Sequence, residues 1–179
     1  MHFDDLTEYL YLDCDDLFYN PTVPTEYCLV FPAVYKRLNV GWLERGHPYE
    51  MGPVPAELVG TLADITAIQQ VNPRLGIHEC DLCDEPQRLP LLGTSEIRIP
   101  GHHDVVYAAP NLIVHYVAAH GYRPPAEFIA AVLAVDAGRW VGLRWKVDGH
   151  ELAIAFPWLA DGVSVLDPDD PDTWPSHMY

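Results

Sequence analysis

Positive charge is scarce in this chain: ten lysines and arginines stand against 26 aspartates and glutamates, a formal net charge of −16 over 179 residues. Without a basic stripe to meet phosphates, direct binding of DNA or RNA is not expected. Long apolar runs are missing too. No uninterrupted apolar stretch reaches ~18 residues, the length at which a bilayer-crossing helix is read. Six acids fall within the first twenty positions, unlike a secretory leader. A cytoplasmic protein without membrane contact is therefore expected. Cysteine is sparse, at four, and in a reducing compartment such thiols serve as metal ligands or buried groups rather than disulfides. Several catalytic signatures are absent as well: G-x-S-x-G, the P-loop, the dinucleotide-binding glycine pattern and H-E-x-x-H.

What is present supports a packed core. Hydrophobic residues make up 49% of the chain and include five tryptophans. A chain of this length buries roughly 70% of its unfolded surface, so it folds without staples. Extended pieces are expected at "YLYLDC" (9–14) and "EYCLVF" (26–31), either side of the turn-rich "NPTVPTE". After "LNVGWLERGHPYEMGPVP" (38–55), a loop dense in Gly and Pro, a helix is expected from Pro55. It sets Leu58, Leu62 and Ile65 on one face and is closed by Asn72-Pro73. "SEIRIPG" (95–101) and "DVVYAAP" (104–110) predict a hairpin turning near Gly101 and His102. "PNLIVHYVAAHG" gives a short helix ending at Gly121, and "RPPAEFIAAVLAVD" another, with Phe128, Ile129, Val132 and Leu133 at helical spacing. Alternation through 139–158, with Asp148-Gly149 between two runs, predicts a further hairpin, and "GVSVL" (162–166) a last strand. This order of elements gives an α+β domain: an antiparallel sheet with about three helices and a zinc-binding loop beside it. One domain is expected over residues 1–166, followed by an acidic, proline-rich tail at 167–179.

"GIHECDLC" (76–83) brings His78, Cys80 and Cys83 close together, and "VHYVAAHG" (114–121) supplies His115 and His120. A C-x-x-C turn lets both thiolates face one ion, and histidines separated by four residues fall in the range of paired ligands. On an ideal helix, positions five apart point about 140° away from each other. The two imidazoles converge only if the last turn loosens, which Gly121 and the prolines after it allow. The expected site is one zinc held by Cys80, Cys83, His115 and His120, with His78 as the alternative ligand. Redox use of the C-x-x-C is disfavoured, because Glu79, Asp81, Asp84 and Glu85 raise thiol pKa values. The same acids draw in a cation. Four ligands close a tetrahedron and leave no place for a reactive water, which favours a structural ion. No H-x-E precedes Cys80, so the deaminase arrangement fails. Should only three of the five candidates bind, Glu79 or Asp104 can act as general base, and a hydrolase becomes the alternative.

Trp42, His47 and Tyr49 of the aromatic loop, with His102 and His103 at the hairpin turn, form a candidate binding groove. The plainer expectation is that the tryptophan packs on the core and the turn is solvated. The Asp-rich start, Asp4-Asp5 and Asp13 to Asp16, is a weaker cation candidate, lacking the glycine and terminal glutamate of a calcium loop.

The combination of "LNVGWL", "GHPY", G-x-V-P, H-x-C-x-x-C, "EIR" and "YAAPNLIVHYVAAHGYRPPAEFIAAV" resembles a family of small bacterial proteins, frequent in actinomycetes, that carries a domain of unknown function. The resemblance spans roughly residues 38–133 and is most specific over Tyr107 to Phe128. It implies that His78, Cys80, Cys83, His115 and His120 belong to a family pattern, and it brings no activity with it. The resulting expectation is a zinc-stabilised binding or interaction protein, immunity-like, whose acidic surface meets a basic protein partner or a small molecule. The alternative is a small metal-dependent enzyme, hydrolytic or acting in natural-product biosynthesis, with an open zinc site.

Overall fold

The computed structural model describes residues 1–12, 16–19, 28–31, 36–73, 78–84, 93–102, 105–135 and 164–166. In chain order the elements are β1 (Asp16–Tyr19), β2 (Cys28–Phe31), β3 (Lys36–Asn39), α1 (Leu58–Ile68), β4 (Gln70–Val71), β5 (Glu96–Pro100), β6 (Val105–Pro110), α2 (Ile113–His120), α3 (Ala126–Ala134) and β7 (Ser164–Leu166). The strands form one sheet in the order β3-β6-β5-β4-β1-β2-β7. This is the expected α+β fold, with one refinement. All neighbours are antiparallel except β3 and β6, which run parallel. A parallel pair needs a long crossover, and the chain between β3 and β6 supplies it through α1 and β5.

The β5–β6 hairpin organises both faces of the sheet. Its register runs from Glu96 opposite Pro110 to Pro100 opposite Val106. Side chains alternate along each strand, so Ile97, Ile99, Tyr107 and Ala109 join the helix-side core, whereas Ala108 joins a second cluster with Tyr9 and Trp42. On the helix side, α1 contributes Leu58, Leu62 and Ile65, α2 contributes Ile113 and Tyr116, and α3 contributes Phe128 and Val132, all buried. Burial of each such side chain is worth about 1.5–3 kcal/mol. α1 packs on α2 and α3, and α3 on β5. Leu133, expected on the apolar stripe, is 41% exposed, because it lies one step, about 100°, around the helix from Val132.

The other face of the sheet is not left to water. The N-terminal segment lies along β3, with Leu6 N–H donating to Asn39 C=O at 2.7 Å, Tyr9 N–H to Arg37 C=O at 2.9 Å and Asn39 N–H to Thr7 C=O at 2.8 Å. Phe3 and Tyr11 pack their rings against Trp42. A sheet covered on both sides buries even the polar half of an alternating strand, so Arg98 and Glu96 on β5 are enclosed.

Boundaries shift where turns intervene. β1 is Asp16–Tyr19; of the 9–14 stretch expected to be extended, residues 9–12 are described and form no strand. α1 begins at Leu58, whose N–H bonds the Pro55 carbonyl across a preceding turn. α2 starts at Ile113 because Pro110 is still the last residue of β6. The "GVSVL" strand exists as β7 and pairs with β2. The hairpin predicted for 139–158, the 20–26 turn, His103, Asp104 and the 167–179 tail lie outside the described residues. Among the described residues no helix is long and apolar enough to cross a membrane.

Candidate metal centre

The loop that carries the cysteines is fastened at its start. His78 and Gly93 exchange backbone hydrogen bonds of 3.2 and 2.9 Å. Only glycine fits at position 93: a Cβ there would lie 2.8 Å from the His78 carbonyl oxygen and 2.9 Å from a Leu112 methyl. Two residues on, Cys80 to Cys83 form a tight turn, with Cys80 and Leu82 packed against the helix-side core. Arg45 straps this turn from outside. Its guanidinium donates to the carbonyls of Asp81 and Cys83, and its backbone N–H to the Asp81 carboxylate.

The two histidines come from α2. His115 lies inside the helix, while His120 is its last residue, followed by Gly121 in the left-handed region at φ 64°. The Gly121 and Tyr122 N–H groups both reach back to the Tyr116 carbonyl, the latter at 3.1 Å, wider closures than the four-residue bonds of the helix body. This looser end turns His120 towards His115, and their Nε2 atoms stand 3.1 Å apart. Cys80 Sγ lies 3.3 Å from His120 Nε2, and Cys83 Sγ 3.2 Å from His115 Nε2 and 3.4 Å from His120 Nε2. All four donor atoms fall within 4.8 Å of one another. The cluster can hold a metal ion.

The electrostatics suit a late-arriving cation. Burial, and then the neighbouring His120, lowers the His115 pKa, which keeps the imidazole neutral, its ligand form. Burial also pushes the Cys80 thiol up, so this sulfur keeps its proton until a bound ion displaces it into the solvent.

The other candidates fall elsewhere. His78 is exposed and outside the four-residue cluster; its backbone, rather than its ring, shapes the loop. Trp42 is buried and donates its indole N–H to the Ala108 carbonyl at 3.0 Å. His47 is exposed and stacks on His2, and Tyr49 sits edge-on to Tyr122. His102 is exposed at the β5–β6 turn. A cleft of about 440 Å³ takes in Trp42 and His78 but not His47, Tyr49 or His102. Of the Asp-rich start, Asp5 accepts from the Tyr122 hydroxyl and the Gly41 N–H, and Asp16 is engaged by arginines.

That engagement belongs to a centre that the sequence did not announce. Asp16 accepts from Arg98 Nη2 at 2.6 Å and Nε at 2.9 Å, from Arg37 at 3.2 Å and from the Asn72 amide at 3.0 Å. Arg98, fully buried, also donates to Glu96 at 2.7 Å, and Glu96 accepts the Tyr9 hydroxyl at 2.9 Å. Both guanidinium carbons lie about 5 Å from the Tyr9 ring centroid, at 5.0 Å for Arg37 and 4.9 Å for Arg98. Burial alone would lower the Arg98 pKa; the carboxylates of Asp16 and Glu96 override it and hold the group charged. The alternation Glu96-Ile97-Arg98-Ile99 was a signal that two charges share one face, but it does not say whether that face is wet.

Comparison with curated proteins and with solved structures finds no match for the chain. Residues 1–133 match the family described as Domain of unknown function (DUF7919), so the match takes in the N-terminal segment as well as the stretch from position 38. The chain belongs to that family.

Proposed function

We propose that this is a zinc-stabilised binding protein in which the ion is structural. The observation that carries this reading is the geometry of the four donors. Bonds of ~2.3 Å to sulfur and ~2.0–2.1 Å to nitrogen put the corners of a zinc tetrahedron about 3.3–3.8 Å apart. The S···N separations of 3.2–3.4 Å and the N···N separation of 3.1 Å are close to those edges. Two sulfurs and two imidazoles suit zinc among biological cations and complete its shell. A complete shell leaves no position for a substrate or a nucleophilic water. The open-site alternative would need His78 to replace a helix histidine, and His78 stands outside the cluster.

The ion's task is then mechanical: it ties the Cys80–Cys83 turn to α2. The binding role is supported by charge. A net charge of −16 attracts a basic partner and speeds encounter at low salt, and acids such as Glu8, Glu50, Asp64, Asp84 and Glu127 are exposed. An immunity-type role, masking a basic protein in the cytoplasm, is the sharpest form of this reading. Purified protein should carry one zinc per chain, and Cys83→Ala should lose it. Capture of a basic protein should weaken steeply as salt rises. Substoichiometric zinc in the parent chain, or capture indifferent to salt, would count against it.

A further inference from the structure

We propose that the hydroxyls of Ser95 and Tyr116 make their cleft a site for a free, uncharged small molecule, a flat apolar body carrying an amide or similar carbonyl. The proposal goes beyond the reading above and depends on neither the ion nor a protein partner.

The cleft is walled by Leu112 and Tyr116 at the start of α2, by Ser95 and Glu96 where β5 begins, and by the bridged pair His78 and Gly93. Its volume of about 440 Å³ falls within the range of small-molecule sites, roughly 300–1,000 Å³. Trp42 belongs to the wall without offering an open ring. Phe3, Tyr9 and Tyr11 pack around it, and its N–H is committed to the Ala108 carbonyl. It supplies apolar surface, as Leu43, Pro110 and Leu112 do.

The two charges among the described lining residues are answered within the protein. The Met1 ammonium stands 3.1 Å from the Glu44 carboxylate. Glu96 accepts from Arg98 at 2.7 Å and from the Tyr9 hydroxyl at 2.9 Å. Neither sign is left over, so an entering ion would shed water without gaining a counter-charge, which is costly in a mostly apolar site. A neutral molecule avoids that cost.

What is left over is hydroxyl. Ser95 and Tyr116 are 7% and 2% exposed, and both line the cleft. Neither hydroxyl has a hydrogen-bond partner among the described residues, and neither oxygen is sealed from the surface. Buried polar groups are as a rule paired, so two unpaired hydroxyls on nearly enclosed side chains mark where a ligand's polar atoms belong. Each carries one donor hydrogen and its own lone pairs. An uncharged carbonyl oxygen accepts such donors, and an amide N–H meets the lone pairs. Behind one of them, the Ser95 carbonyl takes the Asn111 N–H at 3.0 Å, which holds that backbone in place.

The test is equilibrium dialysis of the full chain against near-isosteric naphthalenes: 1-naphthylacetamide (neutral), 1-naphthylacetate (anion) and 1-naphthylacetamidine (cation). The hydrocarbon 1-ethylnaphthalene supplies the body without its polar group. The amide should bind about tenfold more tightly than the hydrocarbon and than either ion. Tyr116→Phe and Ser95→Ala each delete a hydroxyl that no protein group relies on, so melting temperatures should hold or rise slightly. Each should weaken the amide about fivefold, the effect of one neutral hydrogen bond, and leave the hydrocarbon unaffected. A merely structural role would move the melting temperature and not that difference. Loss of amide affinity in either variant supports the proposal, and if one fails to fold the other decides. Preference for an ion, equal binding of all four probes, no binding of the amide, or its indifference to both variants overturns it.

Discussion

Two polar centres lie on opposite sides of the sheet, and they reach electrical peace by opposite routes. Under the N-terminal segment, Asp16, Glu96, Arg37 and Arg98 bring two negative and two positive charges together and satisfy one another. On the helix side, Cys80, Cys83, His115 and His120 crowd four electron-pair donors into a few ångströms, and these have no cation of their own. The first centre is complete when the chain folds. The second could be completed by an ion, and its stability would then depend on what the surroundings supply.

The largest effect expected from breaking this symmetry is metal removal. Structural zinc contributes an apparent 10–16 kcal/mol in small domains. This chain has a core apart from the site, so part of the fold should survive stripping by a chelator. Hydrogen exchange should accelerate in residues 78–84 and in α2 together, with β5 and β6 remaining protected. Protection falling uniformly across the sheet would mean that the ion is needed for the whole fold. Retention of the ion should also weaken as pH falls, because protons compete for the Cys80 and Cys83 sulfurs.

Next in size is the self-sufficient centre. Asp16→Ala leaves Arg98, which is fully buried, with one carboxylate, and removes one acceptor each from Arg37 and Asn72. Breaking a buried pair on one side costs about 3–5 kcal/mol. Urea denaturation should show that loss with bound zinc unchanged. The double change Asp16→Leu with Arg98→Met should cost less than the two single changes added, since no stranded charge remains.

The two centres also differ in how far the sequence disclosed them. The cysteine–histidine cluster was legible because its members arrive in two short segments, each with its own spacing, and because Gly121 advertises where α2 ends. The ionic centre draws single residues from separate places, Tyr9, Asp16, Arg37, Asn72, Glu96 and Arg98. No local pattern links them. Glu96 and Arg98 alternate with isoleucines as they would on a strand facing water, and only the N-terminal segment laid across that face makes them buried. The hairpin β5–β6 and helices α1 to α3 were readable from periodicity and from proline and glycine at their ends. The parallel pairing of β3 with β6 was not, since nothing local in either strand states which strand will lie beside it.

The smallest effect sharpens the boundary between the centres. Arg45 touches no metal-donor atom; it holds the carbonyls of Asp81 and Cys83 and pairs with the exposed Asp84. As an exposed ion pair the Arg45–Asp84 contact is worth little, of order 0–1 kcal/mol. As an orienter of the turn that presents two thiolates, the same side chain should matter more, since outer-shell partners typically change metal affinity about 10–100-fold. Arg45→Ala should therefore leave the metal-free melting curve close to the parent's and raise the zinc dissociation constant by about tenfold in competition with a chromophoric chelator. Arg45→Lys, which keeps the charge but loses the planar set of donors, should fall nearer to the alanine variant than to the parent. If lysine restored full affinity, the contribution would be simple charge attraction, and the strap across the Cys80–Cys83 turn would have no part in shaping the site.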